Sequence, residues 1–273
     1  MKRRLDDALT GLFGLLVVAA ALFLLVPLLM VIVMSFDARE SLGRFPPPGL
    51  SVRWYTAFFG DEHFMAGLKT SALLAVIAAC VSSAIGTLSA VFLDRSRFRG
   101  RDTLALFFLS PLVVPHLVLG FALLGFLSAL GVYDGFARLV AGHVIVTVPY
   151  TIRTALASLS GIRPSLAEAA LSLGATEPQA FWEVTFPLAK TGIVAGWVFA
   201  FALSWDEVTL SLFLVDPFAF TLPTALFSTM RDAFNLTVAA ASVIMMAASA
   251  LCIAVIDRAV GVDRVVGSGM YRV

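Results

Sequence analysis

The chain has 273 residues, 60% of them hydrophobic and 14% charged, with a mean hydropathy of +0.95. Soluble domains run at about 45–50% apolar and about 25% charged, so lipid must be the solvent for most of this chain. A net charge of +1 offers no bulk attraction to nucleic acid. Cys80 and Cys252 both sit in long apolar runs, in no metal-ligand spacing, and read as small core residues.

In chain order, uncharged stretches cover residues 8–36, 70–93, 103–133 and 233–256, each longer than the roughly 20 residues a membrane helix needs. Two further candidates carry charge. Residues 139–152 continue past Arg153 to Ile162, and residues 191–205 meet Asp206-Glu207 and run on from 208 to 215. Each is long enough to cross if its charges face protein or water. The apolar runs show none of the apolar/polar alternation of a barrel strand. The expectation is an all-α integral membrane protein with six transmembrane helices.

With the N-terminus inside, the inner segments hold 13 of the 19 Lys and Arg residues and the outer ones 6. Arg95, Arg97, Arg99 and Arg101 all fall in one of those inner turns, so both termini are expected to be cytoplasmic. The first apolar run far exceeds the roughly 7–15 residues of a cleaved signal core, which makes it an uncleaved first span. The expected partition is an N-terminal helix and outer loop over 1–63, a five-helix core over 64–260 and a tail over 261–273. The outer loop 36–65, with Pro46-Pro47-Pro48-Gly49 and Trp54-Tyr55, reads as irregular and aromatic, an interfacial anchor or a surface for an outer partner.

The inner loop 161–190 is the most structured polar stretch. Ser165 and Glu168 have capping-box spacing ahead of a short helix over 166–173, and Gly174 is placed to cap its end. Thr176 and Gln179 restart a helix by the same device, and Phe186-Pro187 is expected to stop it before the fifth span. Such a loop is either an interfacial hairpin or a helix offered to a groove on a soluble partner.

Glu168-Ala169-Ala170, then Gly174, then Val184-Thr185-Phe186-Pro187, 20 residues in all, resemble the EAA motif of permease subunits of binding-protein-dependent ABC importers. Val184 and Phe186 replace the family's Ile and Leu. The resemblance implies an ABC type I importer bundle in the cell inner membrane, and a coupling helix over 168–180 seated in a cleft of a cytoplasmic ATP-binding cassette ATPase dimer. It further implies a second homologous permease subunit and a periplasmic solute-binding protein as partners, with Glu168, Ala169, Ala170, Gly174 and Pro187 as the coupling residues. No Gly-x-x-x-x-Gly-Lys-Ser/Thr nucleotide site occurs, so the energy is expected from another polypeptide; no cofactor or metal is expected, nor any nucleic-acid partner.

Asp206-Glu207 is an acidic pair inside a span, and adjacent carboxylates facing lipid are costly. Helical spacing aligns Phe199, Asp206 and Phe213, with Trp197, Phe201 and Trp205 beside them, a setting for an organic cation. The alternatives are that the acids cap a helix break or pair with a base such as Arg153. The context Ser204-Trp205-Asp206-Glu207-Val208 is similar to the spermidine/putrescine branch of the family, which implies a polyamine-like solute. In Pro111-Leu-Val-Val-Pro115-His116 that branch often carries an acid where this chain has His116. This departure keeps opines, amino-acid derivatives, thiamine and ferric iron open as solutes. His116, beside two prolines, either faces a water-filled path or hydrogen-bonds across helices; His143 is a weaker candidate. Gly192/Gly196 and Ser82/Gly86/Ala90 have the small-xxx-small spacing of close helix packing. An intramembrane enzyme would need a nucleophile–base pair or metal ligands at one depth, and the three His are scattered. An ion-coupled secondary transporter would show internal repeats, and none is found.

Overall fold

The computed structural model describes residues 2–40, 43–96, 98–232 and 235–260. Arg97, Ala233 and the tail 261–273, with Arg264 and Arg272, lie outside the described residues. Twelve α-helices are described: α1 (Lys2–Met34), α2 (Arg53–Gly60), α3 (Glu62–Arg95), α4 (Arg101–Leu109), α5 (His116–Ala129), α6 (Gly135–Leu159), α7 (Pro164–Ser172), α8 (Glu177–Ala180), α9 (Phe186–Asp206), α10 (Ser211–Leu214), α11 (Leu222–Asp232) and α12 (Thr237–Val260). Among the described residues the β pairing is limited to an isolated bridge between Asp37 and Leu50.

Among the described residues, five helical segments are long and apolar enough to cross a membrane: Leu9–Met34, Glu62–Arg95, Gly135–Leu159, Glu177–Asp206 and Thr237–Val255. A sixth candidate, the run over 103–133 with its two prolines, is broken into two helical segments. Arg101–Leu112 and His116–Ala129 meet at 103°. Two prolines explain it. Pro115 lacks the N–H a continuing helix would need and disfavours helical geometry at Val114, so the chain leaves the helix and restarts with Pro115 as the N-cap of α5.

The chain divides into two compact units. The first comprises Met1–Glu62 and Leu226–Ala247. Its outer loop is more ordered than the composition suggested, because 53–60 is helical. Trp54 is buried rather than free to anchor at an interface: it packs with Leu236 and Ala240, and its indole N–H donates to the Asp37 carbonyl at 2.8 Å. Tyr55 and Ser35 share a hydroxyl hydrogen bond of 2.7 Å.

The second unit, His63–Ala225 with Ala248–Val273, centres on α6. Its described core joins Leu74, Leu123, Leu127, Leu139, Val146, Leu210 and Leu214. The two small-residue stripes lie on α3 and α9, and both pack on α6. A Cβ at Gly86 would fall 2.0 Å from Thr151 Oγ1, and one at Gly196 would fall 2.4 Å from Thr154 Oγ1. Close approach brings polar groups together across helices, Ser82 Oγ with Thr147 Oγ1 at 2.6 Å and Thr151 Oγ1 donating to the Ser82 carbonyl at 2.7 Å. Cys80 is not a core residue. It is exposed, and its sulfur accepts the Trp197 indole N–H at 3.3 Å; Cys252 is half-buried. A helix with lipid as solvent leaves apolar side chains outside at no cost, so an apolar run does not imply burial.

Candidate coupling loop and solute path

The loop 161–190 forms a helix, a glycine turn and a second helix. α7 begins two residues earlier than the capping box would place it, with Pro164 in its first turn and Arg163 as N-cap, and no side chain caps it. Proline's fixed φ and missing N–H suit that position, so Ser165 falls inside the helix. The C-terminal end is as expected. Gly174 has φ +93°, its N–H donates to the Leu171 carbonyl at 3.0 Å, and the Ala175 N–H donates to Ala170 at 3.1 Å. Those two bonds make a Schellman turn, which needs the left-handed geometry glycine adopts without strain. Thr176 caps α8, its backbone N–H donating to Gln179 Oε1 at 2.8 Å.

The segment 168–180, which the resemblance makes the coupling helix, is two short helices joined at Gly174, as the capping signals predict. Glu168 and Ala169 are exposed and Ala170 half-exposed on α7; Leu171, Leu173 and Trp182 are exposed large apolar residues around the turn.

Pro187 does not stop the second helix. α8 runs into a π-helical turn, Phe181–Thr185, and then into α9, with Pro187 in its first turn. In the wide turn the Phe186 N–H bonds five residues back to Phe181, which absorbs the disruption a proline causes in a regular helix. Arg95, ending α3, donates to Thr185 Oγ1 in this turn at 2.6 Å, tying the base of the loop to a span.

At the far end of α9 the acidic pair marks a break. α9 ends at Asp206, and Glu207 is its extended C-cap. The helix does not continue to 215, so the alignment of Phe213 with Phe199 and Asp206 is lost; Phe213 instead meets Phe121 edge-on at 6.3 Å. Glu207 Oε1 accepts the Leu210 N–H at 2.9 Å and Oε2 lies 2.6 Å from His116 Nδ1. The structure thus joins His116 to Glu207, while no acid pairs with Arg153 among the described ion pairs. Asp206 is exposed, and Trp205, expected on the path, is buried, with an indole N–H lacking a protein partner. Trp197, Phe201 and Trp205 stack along α9 with centroids 5.5 and 5.9 Å apart.

His143, the weaker histidine candidate by sequence, is held on both ring nitrogens. It is fully buried, its Nδ1 bonded to Ser204 Oγ at 2.8 Å and its Nε2 to Ser211 Oγ at 2.9 Å. It clasps the chain on both sides of the break, and Ser211 Oγ also donates to the Glu207 carbonyl at 2.8 Å. The signal was two serines bracketing the acidic pair seven residues apart, but they converge on one ring only when the helix between them is broken.

Asp216 secures the loop that follows. Its Oδ1 accepts the N–H groups of Phe218 and Ala219 at 2.8 and 2.7 Å, and Oδ2 accepts that of Gly135 at 2.8 Å. The Phe218 and Ala219 bonds, and then the Gly135 bond, outweigh partial burial and hold its carboxyl below the usual carboxylate range. Because the folded value is depressed, the stability Asp216 contributes is complete at neutral pH and lost only as pH falls through that lowered value. Asp216→Ala is expected to lower the melting temperature of the solubilised chain by about 2–4 °C at pH 7, the shift that about 1 kcal/mol produces in a chain of this size. The difference from the parent should narrow at acid pH, and an equal difference at both would show that the carboxylate is not the holding group.

Five or six apolar crossings with a structured polar loop between the fourth and fifth define a polytopic permease bundle. Residues 82–262 match the family described as the binding-protein-dependent transport system inner membrane component. The chain belongs to this family and is a multi-pass inner-membrane permease subunit of an ABC importer, a transport subunit rather than an enzyme in its own right. It is 32% identical over 233 residues to the putrescine transport system permease protein PotI of Escherichia coli K12, covering 83% of this chain and 82% of that protein. It is 29% identical over 247 residues to the spermidine/putrescine transport system permease protein PotC of Shigella flexneri, covering 90% and 92%. Among solved structures, a bacterial ABC transporter involved in the import of the acidic polysaccharide alginate superimposes with a TM-score of 0.76 at 16% identity, over 93% of this chain and 95% of that one. At that identity the likeness is one of fold.

Proposed function

We propose that this chain, with a second homologous permease subunit, forms a translocation path for a small organic cation of the polyamine type. A periplasmic solute-binding protein delivers the solute, and a separate cytoplasmic ATPase pair drives the cycle. α7 and the Gly174 turn are the docking element, carrying Glu168, Ala169 and Ala170 into the ATPase cleft, with Pro187 at the base. The partition into 1–63, 64–260 and a tail 261–273, with both ends cytoplasmic, belongs to the same reading and follows from the Lys/Arg bias.

The observation that carries the docking reading is the exposed α7, ended by a rigid glycine turn and surrounded by Leu171, Leu173 and Trp182 in the open. An uncovered amphipathic helix next to a fixed turn suits a groove on a partner. The cation reading rests on the exposed Asp206 at the end of a helix carrying a Trp197–Phe201 stack, and on the named solutes of the relatives. His116 and Trp205 belong to the same end of the bundle, the first through Glu207 and the second as a buried support of the stack.

In proteoliposomes holding the assembled transporter, Asp206→Asn should raise the apparent KM for putrescine by about tenfold or more, since a hydrogen bond to a charged group contributes about 1.5–3 kcal/mol. An unaltered KM for putrescine, spermidine and every other cation tried removes the path reading. Retention of the ATPase on a column of a Glu168→Lys variant, as firmly as on the parent, removes the docking one.

A further inference from the structure

We infer that His116 sets the charge class of the solute by withdrawing Glu207 from the path. Asp206 is then the carboxylate of the pair that meets the solute, which is an organic cation offering one ammonium or guanidinium group there rather than two closely spaced ones. The inference rests on the reading of the break at Glu207 as part of the path.

The two acids are neighbours in sequence and opposites in environment. Glu207 has a fixed donor on each oxygen, the Leu210 N–H at 2.9 Å on Oε1 and His116 Nδ1 at 2.6 Å on Oε2, and its side chain is 10% exposed. Its partner His116 is the first residue of α5. Asp206 is exposed and has no hydrogen-bond or ion-pair partner among the described residues. With its proton on Nδ1, the tautomer that pairs with an ionised carboxylate, the imidazole donates to Oε2. An arriving ammonium group must displace it to use Glu207, whereas it meets Asp206 without competition. His143, whose ring is held by Ser204 and Ser211, keeps the turn in the shape that separates the two carboxylates. A second ammonium a few ångströms from the first would find an imidazole donor where a dication needs an acceptor.

The test is ATP-driven uptake by the complete transporter in proteoliposomes, with putrescine as the dication and N-acetylputrescine as a monocation on the same skeleton. The binding protein is the same in every preparation, so a change in the ratio of the two KM values reports the membrane chain. His116→Gln frees Glu207 and should move the ratio toward putrescine by about fivefold or more, the scale of one charge at close range in a partly buried site. Adding Glu207→Gln to it should restore the parental ratio to within about twofold. Glu207→Gln alone should leave the ratio at the parental value, and it carries the test if His116→Gln does not assemble. A parental ratio in His116→Gln, or a displaced ratio in Glu207→Gln alone, overturns the inference. Failure of the underlying path reading has a different signature, Asp206→Asn transporting both amines as the parent does. A parent that carries neither amine overturns both.

Discussion

Gly174→Asp is expected to cut solute uptake sharply while leaving the chain inserted and folded. Gly174 has φ +93°, and a Cβ built there meets nothing within 4 Å, so the cost of a side chain is conformational and not a clash inside the chain. A residue with a Cβ pays about 1–2 kcal/mol in the left-handed region, enough to lose the Schellman bonds and let α7 run on or fray. The angle between α7 and α8 is then no longer fixed, and a docked motor would turn its closure into slack in the turn rather than movement of the spans. Hydrolysis by the partner should continue with uptake reduced about tenfold or more, which is what about 1.4 kcal/mol is worth in a rate. Asparagine and aspartate tolerate left-handed geometry better than β-branched residues, so Gly174→Asn should keep more uptake than Gly174→Val. Normal uptake by Gly174→Asp, with the ATPase bound, would show that the turn transmits nothing.

The spans without charge were legible because lipid imposes one demand on sequence, a long apolar run, and α1, α3 and α12 meet it plainly. α6 and α9 were legible once their charges were given protein or water to face. The Gly174 turn was legible because a left-handed cap selects a residue type directly. Three features were not, each because two rules compete locally and distant contacts decide. Pro164 overrides Ser165 as the start of α7. Pro187, a stop by rule, is carried by the π-helical turn that Arg95 buttresses from α3. The sequence shows the acidic pair but not which member is free: Glu207 is claimed by a histidine 91 residues away and Asp206 is left without a partner among the described residues. His143 belongs with these, since its partners lie 61 and 68 residues along the chain. Residue type announces a membrane site well; which member of a pair is free is decided by residues the pattern cannot join.

Gly86→Val is expected to produce the largest loss of stability of any single change at the small-residue stripes. The added Cβ would lie 2.0 Å from Thr151 Oγ1, 2.7 Å from Thr151 Cβ and 3.0 Å from the Ile152 backbone nitrogen. A flexible side chain could give way, but the backbone of α6 cannot, because its other face is held just as closely: Cβ atoms at Gly192 and Gly196 would stand 2.4 Å from Ser158 Cβ and Thr154 Oγ1. Moving α6 off α3 therefore drives it into α9. Overpacking of this kind costs about 1–3 kcal/mol, and the rigid backbone partner favours the upper end. The displacement also breaks the interhelical bond from Thr151 Oγ1 to the Ser82 carbonyl, leaving the hydroxyl only its acceptor at Val148 in its own helix. The control is Gly125→Val on α5, where a Cβ meets nothing within 4 Å. Both exchanges place the same residue inside a helix, so helix propensity cancels between them. Thermal denaturation of the detergent-solubilised variants, followed by size-exclusion chromatography, should find Gly125→Val near the parent and Gly86→Val well below it. Equal melting of the two would mean that α3 and α6 are not in close contact at Gly86.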